Sequence, residues 1–402
     1  MNKKYIDDPN INYSGKNILL RVDFNVPIKD NIIQDDKRII STFSTIKFLN
    51  KQNMNNLIII SHLGRPKGKK VDKLSLKIVH TYLQKKLPGF KILFSDLENA
   101  KEIIKNNKKC IILLENIRFY PEEENKAPLE KINLFQKKLS ELADIYVNDA
   151  FGTSHRAHSS IIANGYQIKL GGFLIKKELQ QINNVITEPA RPFTCILGGA
   201  KVSDKIKLIY NLIEKVDDII IGGGMAFTFL KELENMEIGK SLYDEEGAKE
   251  IPKIMEKSKK NNVKIHLPLD FVGSKEFNNT DSKIFDTKFI SKDYMGLDIG
   301  IKSVMYFSEI ISKSKTILWN GPMGVFEFSK FSKGSMKIVD EIEKISEINN
   351  VKTVIGGGDT ANCYQNFSLK PFFVHISTGG GATLKLLEGK VLPGIETLNN
   401  LI

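Results

Sequence analysis

The 402-residue sequence has only three cysteines and no long apolar run. Cys110, Cys195 and Cys363 are far apart and form no CxxC pair, which argues against a disulfide framework or a zinc site and favours a reducing compartment. No stretch approaches the roughly 18 uninterrupted apolar residues of a membrane span. The first residues, MNKKYIDDPN, contain no apolar or amphipathic leader, so we expect no targeting segment and a cytoplasmic location. These absences exclude the membrane, secreted and fibrous classes.

Arginine is also scarce, although the chain is basic. The formal net charge is +12, yet only six of the 59 basic residues are arginines and the others are lysines. A planar guanidinium binds phosphate and carboxylate oxygens bidentately and an ammonium does not, so we expect arginine where that geometry is needed. Chance survival of arginines on a solvated face is the alternative. All six lie in the first half of the chain, at Arg21, Arg38, Arg65, Arg118, Arg156 and Arg191.

Short apolar runs recur along the chain, and their length and composition are typical of strands buried on both faces of a parallel sheet. Ten runs are strand candidates: 18–25, 57–61, 110–115, 144–148, 194–197, 218–221, 264–269, 316–319, 353–355 and 373–377. Helical patterns alternate with them, which predicts an α/β fold. Ten strands are many for one open sheet, so we predict two doubly wound domains. The boundary falls at 187–192, where TEPARP places two prolines before a new strand.

Polar and cationic side chains end or follow the predicted strands of the first half. In chain order they are Asp23, Asn25, His62, Arg65, Arg118 and Arg156. Because parallel strands end at the same edge of a sheet, we expect these side chains to form a polyanion site there. Pairing of the arginines with local carboxylates such as Asp23 and Glu115 is the structural alternative.

Glycine clusters take the same positions in the second half. They are GGAK (198–201), GGG (222–224), NGPMG (320–324), GGGD (356–359) and TGGG (378–381). Exposed backbone amides beside a helix N-terminus favour phosphate, and Lys201 and Lys205 are placed to clamp it. GGGDT puts Asp359 at a helix start, where a carboxylate facing phosphates indicates Mg²⁺ rather than a simple cap. The sequence contains neither GxxxxGK[ST] nor a helix-opening GxGxxG, which argues against a P-loop enzyme and a dinucleotide dehydrogenase.

An anion site in one domain and a nucleotide-phosphate site in the other favour phosphoryl transfer between two bound substrates. Two other classes remain open. A nucleic-acid-binding protein would use the positive charge, but would spread it over one face rather than gather arginines at strand ends. A synthetase acting on another carboxylate with a nucleotide would share most of the pattern.

Several longer motifs resemble phosphoglycerate kinases from end to end and in the order of that family. They are RVDFNVP (21–27), DDKRI (35–39), SHLGRP (61–66), ENIRF (115–119), NDAFGTSHRAH (148–158), GGAKVSDK (198–205), WNGPMGVFE (319–327), GGGDT (356–360) and STGGGA (377–382). The resemblance implies two Rossmann-like lobes with mainly parallel sheets and a helical hinge. The lobes would be 1–186 and 193–388, with the hinge at 187–192 and the tail 389–402 packed back on the first lobe.

The resemblance also implies the glycolytic reaction of 1,3-bisphosphoglycerate with ADP to give 3-phosphoglycerate and ATP, by direct in-line transfer on domain closure. The phosphoglycerate pocket would be Asp23, Asn25, Arg38, His62, Arg65, Arg118 and Arg156. The nucleotide site would be Lys201, Lys205, Asn320, Glu327, Gly357, Gly358, Asp359 and Thr360, with Asp359 holding Mg²⁺ and Glu327 the ribose. Arg38 and Lys201 would act on the transferring group, whereas Arg21 and Arg191 look structural. The family further implies a monomer without nucleic-acid or membrane partners.

Overall fold

The computed structural model describes residues 2–286, 289–349 and 351–401. Packing divides the chain into two compact units. The first unit contains the residues up to Leu179 and the segment from Val391 onward, and the second contains Gln180–Lys390. The division falls inside the helix Phe173–Ile186. Packing alone does not show where a chain bends, so the hinge at 187–192 stays a prediction.

A parallel sheet of six strands is the centre of the first unit. The strands of this unit are β1 (Asn17–Arg21), β2 (Ile28–Lys29), β3 (Ile32–Ile33), β4 (Asn56–Ile60), β5 (Ile92–Ser95), β6 (Cys110–Leu114), β7 (Ile145–Asn148) and β8 (Ile168–Gly171). The helices are α1 (Lys37–Ile40), α2 (Phe43–Asn50), α3 (Lys77–Lys86), α4 (Ala100–Asn106), α5 (Leu129–Ser140), α6 (Ser159–Ile162) and α7 (Phe173–Ile186). The sheet order is β5-β6-β4-β1-β7-β8, and β2 and β3 form a separate hairpin.

Alternation along the central strands explains why both faces of this sheet are covered. In β4, Leu57 and Ile59 pack into one apolar cluster, whereas Ile58 and Ile60 pack into another. Successive side chains of a strand point to opposite faces, so a continuous run of isoleucine and leucine supplies both. Full burial of each such side chain contributes about 1.5–3 kcal/mol. Because β1, β4, β6 and β7 run parallel to one another, the loops that follow them leave the sheet at the same edge.

The second unit contains another six-stranded parallel sheet. The strands of this unit are β9 (Phe193–Leu197), β10 (Asp218–Ile221), β11 (Lys264–His266), β12 (Asp270–Ser274), β13 (Lys283–Asp286), β14 (Met295–Ile299), β15 (Thr316–Asn320), β16 (Lys352–Ile355) and β17 (His375–Ile376). Its helices are α8 (Ile206–Leu212), α9 (Met225–Glu234), α10 (Glu245–Ala248), α11 (Ile251–Lys260), α12 (Ile301–Ser312), α13 (Lys333–Asn349), α14 (Gly358–Phe367) and α15 (Gly381–Leu387). The parallel order is β11-β10-β9-β15-β16-β17, and β13-β12-β14 form a small antiparallel sheet.

The predicted α/β fold with two parallel-sheet lobes is confirmed. Each of the ten apolar runs overlaps a strand, although β1 ends at Arg21 and not at residue 25. The sequence did not predict β5, β8, the hairpin or the antiparallel sheet. No helix in the described ranges is both long and apolar enough to cross a lipid bilayer.

The segment from Val391 onward, with α16 (Pro393–Glu396), packs in the first unit. The amide of Gly394 donates to the Ser154 carbonyl at 2.9 Å, and its own carbonyl accepts from Asn148 Nδ2 at 2.9 Å. Further along, the Lys4 amide donates to the Asn399 carbonyl at 2.8 Å. Both ends of the described chain are therefore held by the same unit.

Gly394→Ala should destabilise the protein, because the added Cβ would lie 2.7 Å from Ile161 Cγ2 and 3.0 Å from the Cα of Ser154. Overpacking of this kind costs about 1–3 kcal/mol, which chemical denaturation would measure. Gly89→Ala is the control, since its Cβ would meet nothing within 4 Å and it has no positive φ. An equal effect of the two substitutions would contradict tight packing at Gly394.

Candidate active site

Three side chains from separate elements meet at the carboxyl edge of the first sheet. Asp23 follows β1, Arg38 lies in α1 and His62 follows β4. Arg38 Nη1 donates to Asp23 Oδ2 at 2.9 Å, while Asp23 Oδ1 lies 3.9 Å from His62 Nε2. Asp23 and His62 are buried, but the Arg38 side chain is 38% exposed. Arg38 is therefore the most exposed member of this group.

Arg118 and Asn25 lie at the same edge, where both side chains bond to the backbone of Gly64. The Gly64 amide donates to Asn25 Oδ1 at 2.8 Å, and Arg118 Nη1 donates to the Gly64 carbonyl at 2.9 Å. Arg118 Nε forms an ion pair with Glu124 Oε1 at 3.4 Å, and it has no hydrogen-bond partner among the residues that the structure describes. Burial, and then the charge of Arg21, lowers the pKa of Arg118 to about 10. A guanidinium held in place at this edge supplies a fixed positive charge, which suits an anionic ligand.

The other two predicted arginines are less tightly placed. Arg156 is half-buried and donates from Nε to His155 Nε2 at 3.4 Å, and its charge acts on Arg118. Arg65 is exposed, and within the described part of the chain it makes no hydrogen bond or ion pair that would tie it to the cluster. The arrangement thus joins Asp23, Asn25, Arg38, His62, Arg118 and Arg156 but leaves the Arg65 side chain in solvent.

A buried network beneath these residues was missed from the sequence. Arg21 is fully buried, and its Nε donates to Ser160 Oγ at 2.8 Å. Its Nη2 lies 3.4 Å from His62 Nδ1 and 3.9 Å from Glu123 Oε1. Burial raises the pKa of Glu123, against the opposing effects of Arg21 and of two hydrogen bonds from Ser160. The acidic run at 122–124 was the one signal in the sequence that such a partner existed.

In the second unit, a lysine and an asparagine lie beside a glycine turn. Lys205 Nζ donates to Asn320 Oδ1, and Asn320 Nδ2 donates to the Gly356 carbonyl at 2.7 Å. Burial lowers the pKa of Lys205, and nearby charges including Asp359 oppose that shift. A Cβ at Gly357, whose φ is +94°, would lie 2.9 Å from Asn320 Nδ2. Only glycine therefore leaves this turn open beside the buried amide.

The same turn begins helix α14. Thr360 Oγ1 accepts from the Gly321 amide at 2.6 Å, which joins the loops that follow β15 and β16. A Cβ at Gly358 would meet nothing within 4 Å, so open space lies over the first helical residue. Asp359 is exposed in the first turn. In the described ranges no three His, Cys, Asp or Glu side chains form a group that could hold a metal by themselves.

A cavity of about 540 Å³ opens nearby, lined mainly by apolar side chains and glycine backbone. Glu327 supplies a carboxylate to its wall, and Asp298 a second one that the sequence did not predict. Asp298 is buried, and its oxygens accept from the amides of Ile299 and Gly334 at 2.9 and 2.7 Å. Burial raises the pKa of Asp298 to about 8. Lys201 is exposed and makes no contact that places it in this group within the described residues.

One parallel-sheet unit with cationic strand ends and another with glycine-rich ones are the architecture expected of an α/β phosphotransferase. A sequence profile of phosphoglycerate kinase matches residues 7–390. Phosphoglycerate kinase 1 of Rattus norvegicus is 47% identical over 409 residues, which are 97% of each chain. Phosphoglycerate kinase of Candida maltosa is 46% identical over 416 residues, which are 99% of each chain. The chain belongs to the phosphoglycerate kinase family.

Solved structures agree with this assignment. Phosphoglycerate kinase from Coxiella burnetii has a TM-score of 0.84 and 33% identity, covering 96% of this chain and 97% of its own. The enzyme from Pyrococcus horikoshii has a TM-score of 0.79 and 29% identity, covering 98% of each chain. The protein is therefore an enzyme, a transferase with the phosphoglycerate kinase reaction of glycolysis, as the motifs predicted.

Asp149 is a further buried acid at the strand edge, directly after β7. Its Oδ1 accepts from the amides of Leu174 and Ile175 at 2.9 and 3.2 Å, which caps the start of α7. Its Oδ2 has no hydrogen-bond partner within the described ranges of the chain. Burial raises the pKa of Asp149 to about 7, while hydrogen bonds from Thr45 and the α7 amides oppose the shift.

Asp149→Asn should change how stability depends on pH. The folded-state pKa lies above the unfolded value of about 3.9, so the folded parent binds this proton more tightly and loses stability as pH rises from about 4 to 7. Asparagine removes that loss. The variant's free energy of unfolding relative to the parent should rise by roughly 1–3 kcal/mol between pH 5 and pH 8.5 in urea titrations. A pH-independent difference would show that Asp149 titrates normally.

Proposed function

We propose that the chain binds phosphoglycerate in its first unit and the nucleotide in its second, and that the phosphoryl group passes directly between them. The reaction joins 1,3-bisphosphoglycerate and ADP to 3-phosphoglycerate and ATP and is reversible. The observation that carries the proposal is the cluster of Arg38, His62 and Arg118 at one strand edge. No acid–base or covalent side chain is required, because positioning and charge neutralisation dominate phosphoryl transfer.

The first unit supports this assignment through the state of its arginines. Arg118 is fixed by the Gly64 carbonyl and by its ion pair with Glu124, so it holds a positive charge at the strand edge that suits the permanent charges of the phosphoglycerate. Arg38 is half-exposed on a single contact with Asp23, so it is free to turn toward the transferring phosphoryl oxygens. Asp23, Asn25, His62, Arg65 and Arg156 complete the pocket in this proposal.

The second unit supports a nucleotide through its cavity and its glycine turn. The apolar cavity has room for a base and ribose, with Glu327 to accept from a ribose hydroxyl. The amides at Gly357, Gly358 and Thr360 begin α14, and a helix N-terminus favours phosphate. Lys205 and Asn320 lie beside these amides. In this proposal, Lys201 reaches the phosphoryl group that is being transferred.

The residues at α14 also fit Mg²⁺. Magnesium is bound in such sites by one or two carboxylates together with substrate phosphates, and Asp359 is an exposed carboxylate at the phosphate-facing turn. When bound, Mg²⁺ would neutralise charge on the nucleotide phosphates. We further propose a cytoplasmic monomer with no nucleic-acid or membrane partner, and gel filtration with light scattering tests the oligomeric state.

Arg38→Lys keeps the positive charge and removes the planar fork. If Arg38 holds the phosphoryl oxygens in flight, the variant should lose about 10²–10³ in kcat, as loss of one positioned donor does. The KM for 3-phosphoglycerate should change only modestly, since Arg118 and Arg156 still hold the ground state. Coupled assays of ATP formation from 1,3-bisphosphoglycerate and ADP, and of the reverse reaction, would measure both values.

Arg191→Lys is the matched control, because Arg191 belongs to the second unit, is exposed and pairs with Asp217 at 2.6 Å. It should show at most a small loss of stability. If Arg38→Lys retains a kcat within threefold of the parent, charge alone suffices at that position and the bidentate role is wrong.

Lys201→Ala should lower kcat by about 10² or more and change the KM for ATP much less. The reason is that an interaction which strengthens as charge develops contributes mainly to the transition state. Steady-state kinetics at saturating Mg²⁺ would separate the two effects. A tenfold rise in KM with kcat intact would make Lys201 a ground-state clamp. Asp359→Ala should lose activity together with its Mg²⁺ dependence.

Domain closure is the remaining element of the proposal. Two substrates held by separate units can react only if the units approach and exclude water. Small-angle scattering should show a smaller radius of gyration with 3-phosphoglycerate and Mg-nucleotide together than with either alone. An unchanged radius with both substrates bound would contradict closure and the hinge at 187–192.

A further inference from the structure

The hydrogen-bonding roles around Arg21 have only one consistent arrangement. A guanidinium has five N–H donors, no acceptor, and keeps its proton in proteins. Arg21 Nε donates to Ser160 Oγ at 2.8 Å, and Nη1 donates to the Val22 carbonyl. Nη2 faces His62 Nδ1 at 3.4 Å. Because Arg21 can only donate, His62 Nδ1 has to accept and carries no proton.

The proton of a neutral His62 is thereby assigned to Nε2, on the side of the phosphoglycerate pocket. Nε2 lies 3.9 Å from Asp23 Oδ1, which is too far for a hydrogen bond. Asp23 Oδ2 is already engaged by Arg38 at 2.9 Å. The Nε2–H group therefore remains available to an oxygen of a bound ligand.

The charged groups around His62 oppose its protonation. Burial, and then the charges of Arg21, Arg118, Arg38 and His158, holds the pKa of His62 well below its usual range. The acids in the neighbourhood do not reverse this. Asp23 is held by Arg38, and Glu123 lies against Arg21 and His158, at 3.9 Å and 3.8 Å. An imidazolium would also compete with Arg38 for Asp23.

We propose that Arg21 is a positioning residue, which fixes His62 as the neutral Nε2–H tautomer and so presents one oriented, uncharged donor to the phosphoglycerate. The role of that donor rests on the proposed function, whereas the tautomer itself does not. Arg21 acts through His62 and does not touch the substrate. Ser160 holds the guanidinium at Nε, and Glu123 lies 3.9 Å from Nη2, the nitrogen that also faces His62.

Long-range ¹H–¹⁵N spectra of the ligand-free protein, labelled at histidine nitrogens, test the tautomer directly. His62 should show a protonated Nε2 and an unprotonated Nδ1, with no change from pH 8 to pH 5.5. His266 is an internal reference from the second unit, with its ring nitrogens bonded to Asp218 and Tyr306. A protonated Nδ1 at His62, or titration near pH 6.5, would overturn the proposal.

The double variant Arg21→Met with Glu123→Gln tests whether Arg21 is the cause, and removes both buried charges so that neither is left unpaired. His62 should then populate both tautomers and titrate closer to pH 6.5. The signals of His80, whose Nε2 lies 3.1 Å from the Ile92 carbonyl in the same unit, should stay in place and report that the first unit is intact. At pH 8 the KM for 3-phosphoglycerate should rise about three- to tenfold, with a smaller change in kcat, as expected for one lost oriented hydrogen bond.

Arg191→Met, the same substitution outside the cluster, should leave the His62 spectrum unchanged. An unaltered His62 spectrum in the double variant would refute the role of Arg21. A parent protein inactive on 3-phosphoglycerate would refute the proposed function and leave the tautomer standing. An active parent with Nδ1–H at His62 would refute this inference alone.

Discussion

The burial of one guanidinium sets the arrangement of the first unit. Taking a charge out of water is expensive unless the surrounding groups satisfy it, and Arg21 is fully buried at the end of β1. Its partners come from distant parts of the chain, since Ser160 lies 139 residues and His62 lies 41 residues away. The loops after β4, β6 and β7 must therefore converge on β1 for the charge to be compensated. That convergence brings His62, Arg118 and the 149–160 loop to the same edge.

In the second unit, the loops are brought together by close backbone packing and not by a buried charge. Its loops approach so closely that a Cβ at Gly198 would lie 2.0 Å from the Pro322 carbonyl oxygen. A Cβ at Gly321, where φ is +107°, would lie 2.2 Å from the Gly198 carbonyl oxygen. Glycine at these positions lets the loops after β9 and β15 pack backbone against backbone. A side chain at either position would force the two loops apart.

Sequence reasoning was most successful where a single local signal was sufficient. Buried strands such as β4 and β9 are continuous apolar runs, and the predicted anion-site residues follow directly after them. It failed where pairing is not local. β12 begins with the buried Asp270 and contains Gly273, so DFVGS lacks the apolar run of a parallel strand. Glu123 and Asp149 read as ordinary loop acids, because their burial depends on residues far away in the sequence. The exposure of Arg65 could not be predicted either, because the motif SHLGRP gives its place in the sequence and not its surroundings in the fold.

The return of the chain to the first unit after Lys390 determines the order in which the units can be completed during synthesis. The second unit is one continuous segment, Gln180–Lys390, so it can fold as soon as that segment has left the ribosome. The first unit is completed later, because Asn148 and Ser154 obtain their Gly394 partners only after residue 394 has been synthesised. The packing of α16 against α6 forms at the same late stage. The unit that contains the earlier strands is consequently completed after the unit whose segment interrupts it.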